Sequence, residues 1–268
     1  MRSAILIQAR SGSTRLPNKC FLEFPAVVKT ADASTVENTA TTITERVYHQ
    51  CIQAGVPVYF LLPDGDTKLQ SFLKEKQIEF MTGPEDDVRQ RYRKAAAELK
   101  LDVVVRVTAD NPFTDPLHLK LSLQEMQLQQ CDLFSFDNLP LGVAAELFTA
   151  DALFDDGDAG LEALPMYKEH VSLHIKHSNK FRVIHKSSPL IDDWRRLHNY
   201  EGSLPRLTID EPADYTTLHQ VAKKQSSDSL TELLDMFLNN DQLFAGNQKV
   251  EQRRFYKITR NDENESKS

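Results

Sequence analysis

Short apolar runs recur along the first half of the chain, and a longer amphipathic stretch follows each of them. The runs are rich in β-branched and aromatic side chains, a composition typical of strands that are covered on both faces. They cover residues 4–7, 56–62, 78–81, 103–107 and 133–136. We therefore predict a buried strand at each of these positions.

The stretches between the runs have the period of amphipathic helices, which present one apolar face to a core. Helices are predicted near residues 43–54, 66–77, 85–100 and 116–130. Asp115 and Pro116 form a typical helix start, because aspartate caps the first turn and proline needs no hydrogen bond there. This alternation predicts an α/β fold: a Rossmann-like, mostly parallel sheet flanked by helices on both faces.

Beyond residue 140 the pattern is less regular. It predicts strands near 145–148, 181–186 and 206–209, and helices near 166–178, 212–223 and 228–239. Residues 25–42 are small, polar and threonine-rich without a clear period, and we interpret them as a long loop or flap. No linker or repeat divides the chain, so we expect one domain over residues 1–245 and a polar, partly disordered tail over 246–268.

Composition and charge exclude several classes of protein. The 268 residues include 32 Lys+Arg and 39 Asp+Glu, a net charge of −7, so no basic field favours nucleic acid. No apolar run approaches the roughly 20 residues that span a bilayer, and we expect no membrane insertion. Cys20, Cys51 and Cys131 form no CxxC pair, which argues against a disulfide scaffold and favours a cytoplasmic protein.

A basic, glycine-containing loop directly follows the first strand. Ligands of open α/β sheets bind at the carboxyl ends of strands, and successive backbone N–H groups in such a turn can face an anion. Three cations within ten residues of an acidic protein favour a triphosphate ligand. The alternative is a solvated surface turn, since neither a P-loop nor a GxGxxG motif is present. The candidate residues are Arg10, Ser11, Gly12, Ser13, Arg15 and Lys19.

Two aspartates follow apolar segments that we predict as strands. Asp110 ends VVVRVTAD and Asp210 ends RLTID. Mg²⁺ prefers one or two carboxylates together with phosphate oxygens and water, which two aspartates facing the basic loop would supply. The alternative for each is an ordinary turn or helix cap, because a proline follows closely.

Three further features carry alternatives. Arg106 lies inside an apolar strand and must reach a carboxylate or a ligand phosphate. The acidic run 85–87 either favours a helix N-terminus or holds a ribose. His170, His174 and His177 share one face of the helix predicted at 166–178, where hydrogen-bonded histidines are favoured over a zinc site because no HExxH motif is present.

The segment QARSGSTRLPNK at 8–19 closely resembles the opening signature of the spore-coat polysaccharide cytidylyltransferases, which are relatives of the CMP-sugar synthetases. The resemblance continues in GPEDDVRQRYRKAA (83–96), VVVRVTADNPFTDP (103–116), YKEHVSLHI (167–175) and LTIDEPAD (207–214). It implies a Mg²⁺-dependent cytidylyltransferase that uses CTP and a sugar or sugar-acid acceptor and releases pyrophosphate. A homodimer is implied by analogy with related synthetases.

The resemblance also implies roles for individual residues. The loop would bind the CTP phosphates, with Lys19, Arg10 and Asp110 as the catalytic residues. Mg²⁺ would be held by two carboxylates, other residues outside the loop would also contact the nucleotide, and two further residues would hold the acceptor. The implied residues are Asp110 and Asp210 for the metal, Gly83, Asp87 and Arg106 for the nucleotide, and Glu146 and His170 for the acceptor.

The chain departs from this family at several positions. Asn18 replaces a usual glycine, residues 25–42 replace a short segment, and Ala144 stands where relatives often carry aspartate. The second strand ends in LLPDGD, and about ten extra residues lie at 192–205. Two alternatives therefore stay open: a nucleotide- or sugar-binding homologue without turnover, or a glycosyltransferase that uses Asp64-Gly65-Asp66 as a DxD metal motif.

Overall fold

The computed structural model describes residues 1–29, 36–156 and 165–250. Seven of the strands in these ranges form one sheet of order β5-β4-β1-β6-β8-β7-β9, while β2 and β3 form a separate two-stranded ribbon. The strands are β1 (Ser3–Gln8), β2 (Glu23–Lys29), β3 (Val36–Thr42), β4 (Val58–Pro63), β5 (Phe80–Gly83), β6 (Val103–Thr108), β7 (Leu133–Phe136), β8 (Glu146–Thr149) and β9 (Val183–Lys186).

Helices connect most of these strands. They are α1 (Ile43–Ile52), α2 (Thr67–Glu75), α3 (Val88–Glu98), α4 (Pro116–Gln129), α5 (Ala150–Phe154), α6 (Pro165–Glu169), α7 (Leu173–His177), α8 (Pro189–Leu197), α9 (Pro212–Lys224) and α10 (Leu230–Asn239). Two 3-10 helices cover Lys19–Phe21 and Asp241–Asn247. Asp115 caps α4 by accepting from the His118 N–H, and Pro116 follows at its first turn, as predicted.

The central strands run parallel, with their carboxyl ends at one edge. β1 pairs in parallel with β4 and β6, and Gln8 lies opposite both Leu61 and Thr108. The β5, β4, β1 and β6 strands share this direction, whereas β8 is antiparallel to its neighbours β6 and β7. The segments that follow β1, β4 and β6 therefore leave the sheet side by side.

Alternating side chains of the strands enter cores on opposite faces of the sheet, as the period of two requires. Ile5 and Ile7 of β1 pack with α1, α2 and α4 on one face. Ala4 and Leu6 pack with α3, α5 and α7 on the other. This arrangement confirms the predicted α/β class, with helices on both faces of a mostly parallel sheet.

A third apolar cluster joins the second half of the chain to the sheet's carboxyl edge. It unites α8, α9 and α10 with Phe24 of β2, Phe113 after β6, and Leu207 and Ile209. The last two residues lie just before Asp210, so this cluster fixes the segment that carries it.

The loop predicted at 25–42 is wrong where the structure describes it, because β2 and β3 pair there as an antiparallel ribbon. Phe24 lies opposite Thr41, whose hydroxyl donates to the Phe24 carbonyl at 2.7 Å. The β-branched valines and threonines were the available signal, since they favour extended backbone. Residues 30–35, which the loop prediction also covers, lie outside the described ranges.

Two other predictions need correction. The helix predicted at 166–178 is divided into α6 and α7, so the three histidines do not share one helical face. The segment 206–209 is extended but not a strand, although the Ile209 N–H donates to the Asp110 carbonyl at 2.9 Å. Residues 192–197 of the extra segment at 192–205 belong to α8, whose Ile191 and Trp194 are buried.

The folded chain continues slightly beyond the predicted domain end at 245. Asn247 is buried and donates to the Arg206 carbonyl at 3.2 Å, while residues 251–268 lie outside the described ranges. In the described ranges no helix combines the length and apolarity needed to cross a bilayer. Cys20, Cys51 and Cys131 are buried free thiols.

Candidate active site

The basic loop leaves β1 at the carboxyl edge of the sheet and ends in the 3-10 helix that begins at Lys19. Asn18 precedes this helix in a left-handed conformation, with φ of 56°. Gly12 lies in open space: a Cβ built there would meet no atom within 4 Å. The loop is therefore anchored at its end and open near its middle.

Asp66 anchors the loop at Ser11. The Ser11 N–H donates to Asp66 Oδ2 at 2.6 Å, and its hydroxyl donates to Oδ1 at 2.8 Å. The same carboxylate caps α2 by accepting from the Leu69 N–H at 3.2 Å. Asp66 thus has a structural role that accounts for its place in the Asp64-Gly65-Asp66 sequence.

Lys19 connects the loop to both candidate metal ligands. Its Nζ donates to Asp110 Oδ2 at 2.9 Å and to the Ile209 carbonyl at 2.9 Å. Asp210 Oδ1 lies 3.8 Å from the same nitrogen. One ammonium group therefore lies between the two aspartates that the sequence analysis singled out.

Asp110 is held in its ionised form. Burial alone would raise the pKa of its carboxyl group, but the Lys19 charge and the Thr108 hydrogen bond outweigh burial and hold that pKa below its usual range. Thr108 Oγ1 donates to Asp110 Oδ1 at 2.5 Å. The side chain is 26% exposed, so a ligand can still reach it.

Asp210 is held from two sides by arginines. Arg15 approaches Oδ1 at 3.0 Å, and Arg206 approaches Oδ2 at 2.8 Å. Arg206 also pairs at 2.8 Å with Asp214, which is fully buried. Asp214 accepts from the backbone N–H groups of Asp210 and Glu211, which fixes this turn.

The alternative reading of the two aspartates as helix caps does not describe their contacts. The cap of α4 is Asp115, and α9 begins with a capping box formed by Glu211 and Asp214. Asp110 and Asp210 instead direct their carboxylates toward cations of the loop.

A cleft of about 400 Å³ opens above these groups. Residues predicted from the sequence and two charged residues that sequence reasoning missed line it together. The predicted ones are Arg10, Ser13, Arg15, Lys19, Asp110 and Asp210, together with Glu85 and Asp86 of the acidic run 85–87, and the missed ones are Arg91 and Glu169. Ser11, Gly12, Gly83, Asp87, Arg106, Glu146 and His170 do not line it.

Arg106 and Glu146 bind each other beside the cleft, so the carboxylate alternative for Arg106 is the one found. Arg106 Nη1 lies 3.0 Å from Glu146 Oε2, to which Ser172 also donates at 2.7 Å, and Lys176 pairs with Oε1. Burial would raise the pKa of Glu146, but Arg106 and Lys176 lower it to about 2. The contacts of Arg106 with nucleotide and of Glu146 with acceptor stay predictions, and in this structure each side chain has the other as its partner.

Asp87 and the histidines also have structural partners. Asp87 caps α3 by accepting from the Gln90 N–H at 2.8 Å, as the helix-start interpretation of the acidic run requires. His174 Nε2 contacts the Ala152 carbonyl at 2.9 Å, and His177 Nδ1 contacts the Tyr167 hydroxyl at 2.9 Å. His170 lies between α6 and α7 and is half-buried.

The sequence offered little signal for the residues it missed. Arg206 stands four residues before Asp210, a spacing that predicts an ion pair only within a helix, and this segment is not helical. Arg91 belongs to the charged run RQRYRK, which reads as a solvated helix face. Only the burial of these side chains distinguishes them.

A parallel sheet with a cationic loop and two aspartates at its carboxyl edge defines a nucleotidyltransferase. The cytidylyltransferase family model matches residues 43–259, and the chain belongs to this family. The match begins after the loop Arg10–Lys19. The role of that loop in binding a nucleotide is therefore supported by its geometry and by the resemblance of residues 8–19 to the family signature.

Full-length comparisons agree with this family. The spore coat polysaccharide biosynthesis protein SpsF of Bacillus subtilis is 28% identical over 240 residues, covering 88% of this chain and 93% of that protein. A cytidylyltransferase structure from Leptospira borgpetersenii is 26% identical with a TM-score of 0.73, covering 94% of this chain and all of that one. The resemblance to the spore-coat cytidylyltransferases is confirmed.

The fold is also shared with a more distant enzyme. The structure of CMP:2-keto-3-deoxy-manno-octonic acid synthetase complexed with CTP has a TM-score of 0.53 at 14% identity, covering 74% of this chain and 99% of that one. At this identity the comparison shows the fold alone.

Proposed function

We propose that the protein transfers the cytidylyl group of CTP to a hydroxyl of a sugar or sugar acid and releases pyrophosphate. The observation that carries this proposal is the position of Lys19, whose Nζ joins Asp110 and Asp210 beneath the cationic loop. A nucleotide tail in the cleft would meet cations from the loop and carboxylates from the sheet edge at one place. The family membership supports CTP as the donor.

The proposed acceptor class rests on the relatives. One is a spore coat polysaccharide biosynthesis protein, and a protein of the same fold is a synthetase that attaches CMP to a sugar acid. We therefore assign the reaction to the biosynthesis of a surface polysaccharide or glycan.

The two aspartates fit a divalent ion. Their oxygens already have a cation, the Lys19 ammonium, 2.9 and 3.8 Å away, and both side chains are about one quarter exposed. Within the described ranges no three His, Cys, Asp or Glu side chains form a metal cluster. A pair of carboxylates completed by phosphate oxygens and water is the arrangement that Mg²⁺ favours.

When bound by Asp110 and Asp210, Mg²⁺ would neutralise phosphate charge and lower the pKa of the acceptor hydroxyl. The acceptor oxygen attacks the α-phosphorus, the bond to the β-phosphate oxygen breaks, and the hydroxyl proton passes to water. The chain contributes mainly positioning and charge neutralisation, as phosphoryl chemistry requires.

The cations of the loop contact different phosphate groups of the nucleotide. Arg10 and Lys19 lie at the two ends of the loop and stabilise the charge that develops on the α- and β-phosphate oxygens. Arg15 holds the outer phosphates after exchanging its contact with Asp210 for the ligand, since its side chain is about one third exposed. No nucleophilic side chain is needed.

Replacing Asp110 tests the proposal. In Asp110→Asn, the shape of the side chain is kept but its charge is lost. We expect kcat for CTP-dependent pyrophosphate release to fall by roughly 100- to 1000-fold, about 3–4 kcal/mol of barrier, the usual effect of removing one electrostatic group. A coupled pyrophosphate assay with Mg²⁺ and a panel of sugar acids measures it.

Asp64→Asn is the matched control. Asp64 lies outside the cleft lining, so this variant should keep the wild-type rate. Near-normal release in Asp110→Asn would contradict the metal assignment, and loss of activity in Asp64→Asn would instead favour the DxD glycosyltransferase alternative.

A further inference from the structure

Arg91 of α3 is a buried cation that has no hydrogen-bond or ion-pair partner for its guanidinium among the described residues. Its side chain lines the cleft, yet the residue is only 4% exposed. Its guanidinium atoms Nε and Nη1 are buried and donate to no partner among the described residues. A charged group removed from water in this way costs free energy unless an opposite charge meets it.

Other buried arginines of the chain do have such partners. Arg46 lies 2.7 Å from Asp228, and Arg206 lies 2.8 Å from Asp214. Arg89, on the same helix as Arg91 and equally exposed at 4%, donates to the Asp155 carbonyl at 2.7 Å. Arg91 is therefore the member of this group for which a ligand would supply the missing partner.

The backbone makes room for this side chain. A Cβ built on Gly83, at the end of β5, would lie 2.8 Å from Arg91 Cγ. A larger residue at position 83 would displace the arginine from the cleft wall. This also gives Gly83 a role, although Gly83 itself does not line the cleft.

Arg10 is close enough to affect Arg91. Burial lowers the pKa of the Arg91 guanidinium; the charge of Arg10 also lowers it, while Tyr92, Glu85 and Asp87 act in the opposite direction. Two guanidinium groups at one cleft, neither of which has an ion pair among the described residues, favour a ligand with several negative charges. A polyphosphate meets that need better than a single carboxylate, and arginine binds phosphate oxygens in a bidentate manner.

We propose that Arg91, together with Arg10, binds the phosphate oxygens of CTP from the α3 side of the cleft. This inference rests on the proposed function and adds a phosphate-binding residue outside the loop. The free protein keeps an unpaired buried charge, and the nucleotide relieves it. Arg91 therefore lowers the stability of the free protein and raises its affinity for CTP.

Arg91→Met tests this exchange, because methionine fills similar space without charge. We expect the melting temperature of the free protein to rise by a few degrees and the affinity for CTP to fall at least tenfold. Affinity for cytidine, which lacks phosphate, should stay within twofold of wild type. Calorimetric titration measures the two affinities, and thermal unfolding measures the melting temperature. If Arg91→Met does not fold, Arg91→Gln replaces it with the same expected results.

Arg89→Met is the matched control. It removes an equally buried arginine that has a protein partner and does not line the cleft. We expect it to lower the melting temperature and leave CTP affinity unchanged. Arg91→Lys should recover part of the lost CTP affinity.

The outcomes separate the two proposals. A wild-type protein that binds CTP no more tightly than cytidine would overturn the proposed function itself. Tight CTP binding by wild type that is unchanged in Arg91→Met would overturn only the role of Arg91. An equal loss of CTP and cytidine affinity would also overturn it, since that pattern indicates general damage to the site.

Discussion

Asn18 replaces the family's usual glycine and keeps the left-handed backbone conformation at this position. Its φ of 56° lies in the left-handed region, which glycine enters without strain and asparagine tolerates better than most residues. Lys68 of α2 donates to its side-chain oxygen at 2.6 Å. The departure from the family's usual glycine therefore keeps the turn that delivers Lys19.

The low pKa of Glu146 predicts that the protein loses stability in acid. Its folded-state pKa of about 2 lies below the ordinary value of 4.5, so the ionised form stabilises the fold above about pH 4.5. That contribution, on the order of 3 kcal/mol, is lost as pH falls toward 2. In Glu146→Gln we expect a lower free energy of unfolding at pH 7 and a difference from wild type that shrinks below pH 4.5, measured by urea unfolding.

Glu125→Gln provides the comparison. Glu125 also pairs with a lysine, Lys186 at 2.9 Å, but that lysine is 45% exposed. Solvent screens such pairs, so this variant should change stability by less than about 1 kcal/mol at every pH. An equal pH dependence in both variants would mean that Arg106 does not stabilise Glu146 as described.

At the scale of elements, periodicity alone predicted the strands of the first half and their helices within a few residues. These elements have continuous apolar runs or one clear apolar face. The ribbon β2–β3 was missed because it has no long apolar run, and no helix was predicted at α8. The predicted strand at 206–209 failed because its apolar residues pack against helices instead of joining the sheet.

Gly142 links this irregular segment to the rest of the fold. Its φ is +96°, and a Cβ there would lie 2.6 Å from the Leu207 carbonyl carbon. Gly142→Ala should therefore cost about 2–4 kcal/mol of unfolding free energy and displace the segment that leads to Asp210. Denaturant unfolding and the pyrophosphate assay measure the two effects.

Gly65→Ala is the control for that experiment. A Cβ at Gly65 meets no atom within 4 Å, and its backbone needs no left-handed conformation. Stability should stay within about 0.5 kcal/mol of wild type. Equal effects at the two glycines would show that the contact with Leu207 is unimportant.

At the scale of the whole molecule, the site is assembled from distant parts of the chain. The loop charges and the two aspartates could be predicted because each follows an apolar segment. Arg206, Asp214 and Arg91 could not, because burial and tertiary partners alone distinguish them from surface charges. The interaction of Arg106 with Glu146 likewise depends on the pairing of β6 with β8, which could not be predicted from the sequence.

The chain's last described helix supports this assembly through Asn247. Its side-chain amide donates to the Arg206 carbonyl at 3.2 Å and to Asp214 Oδ1 at 3.1 Å. Because Asn247 is buried, Asn247→Ala should lower the free energy of unfolding by about 1–3 kcal/mol. Asn239→Ala, which removes an exposed amide bonded to the Asp235 carbonyl, should cost less than about 0.5 kcal/mol. Urea unfolding of both variants decides whether the terminal helix supports the Asp210 turn.

The ribbon β2–β3 has a consequence for how this chain can diversify. The Ile43 N–H donates to the Leu22 carbonyl at 3.0 Å, so the two ends of the ribbon lie close together. Insertions or deletions within the ribbon therefore need not change the spacing between Lys19 and α1. Natural selection can vary the length of this ribbon beyond its first residues, whereas Phe24 and Ala26 stay constrained because they are buried.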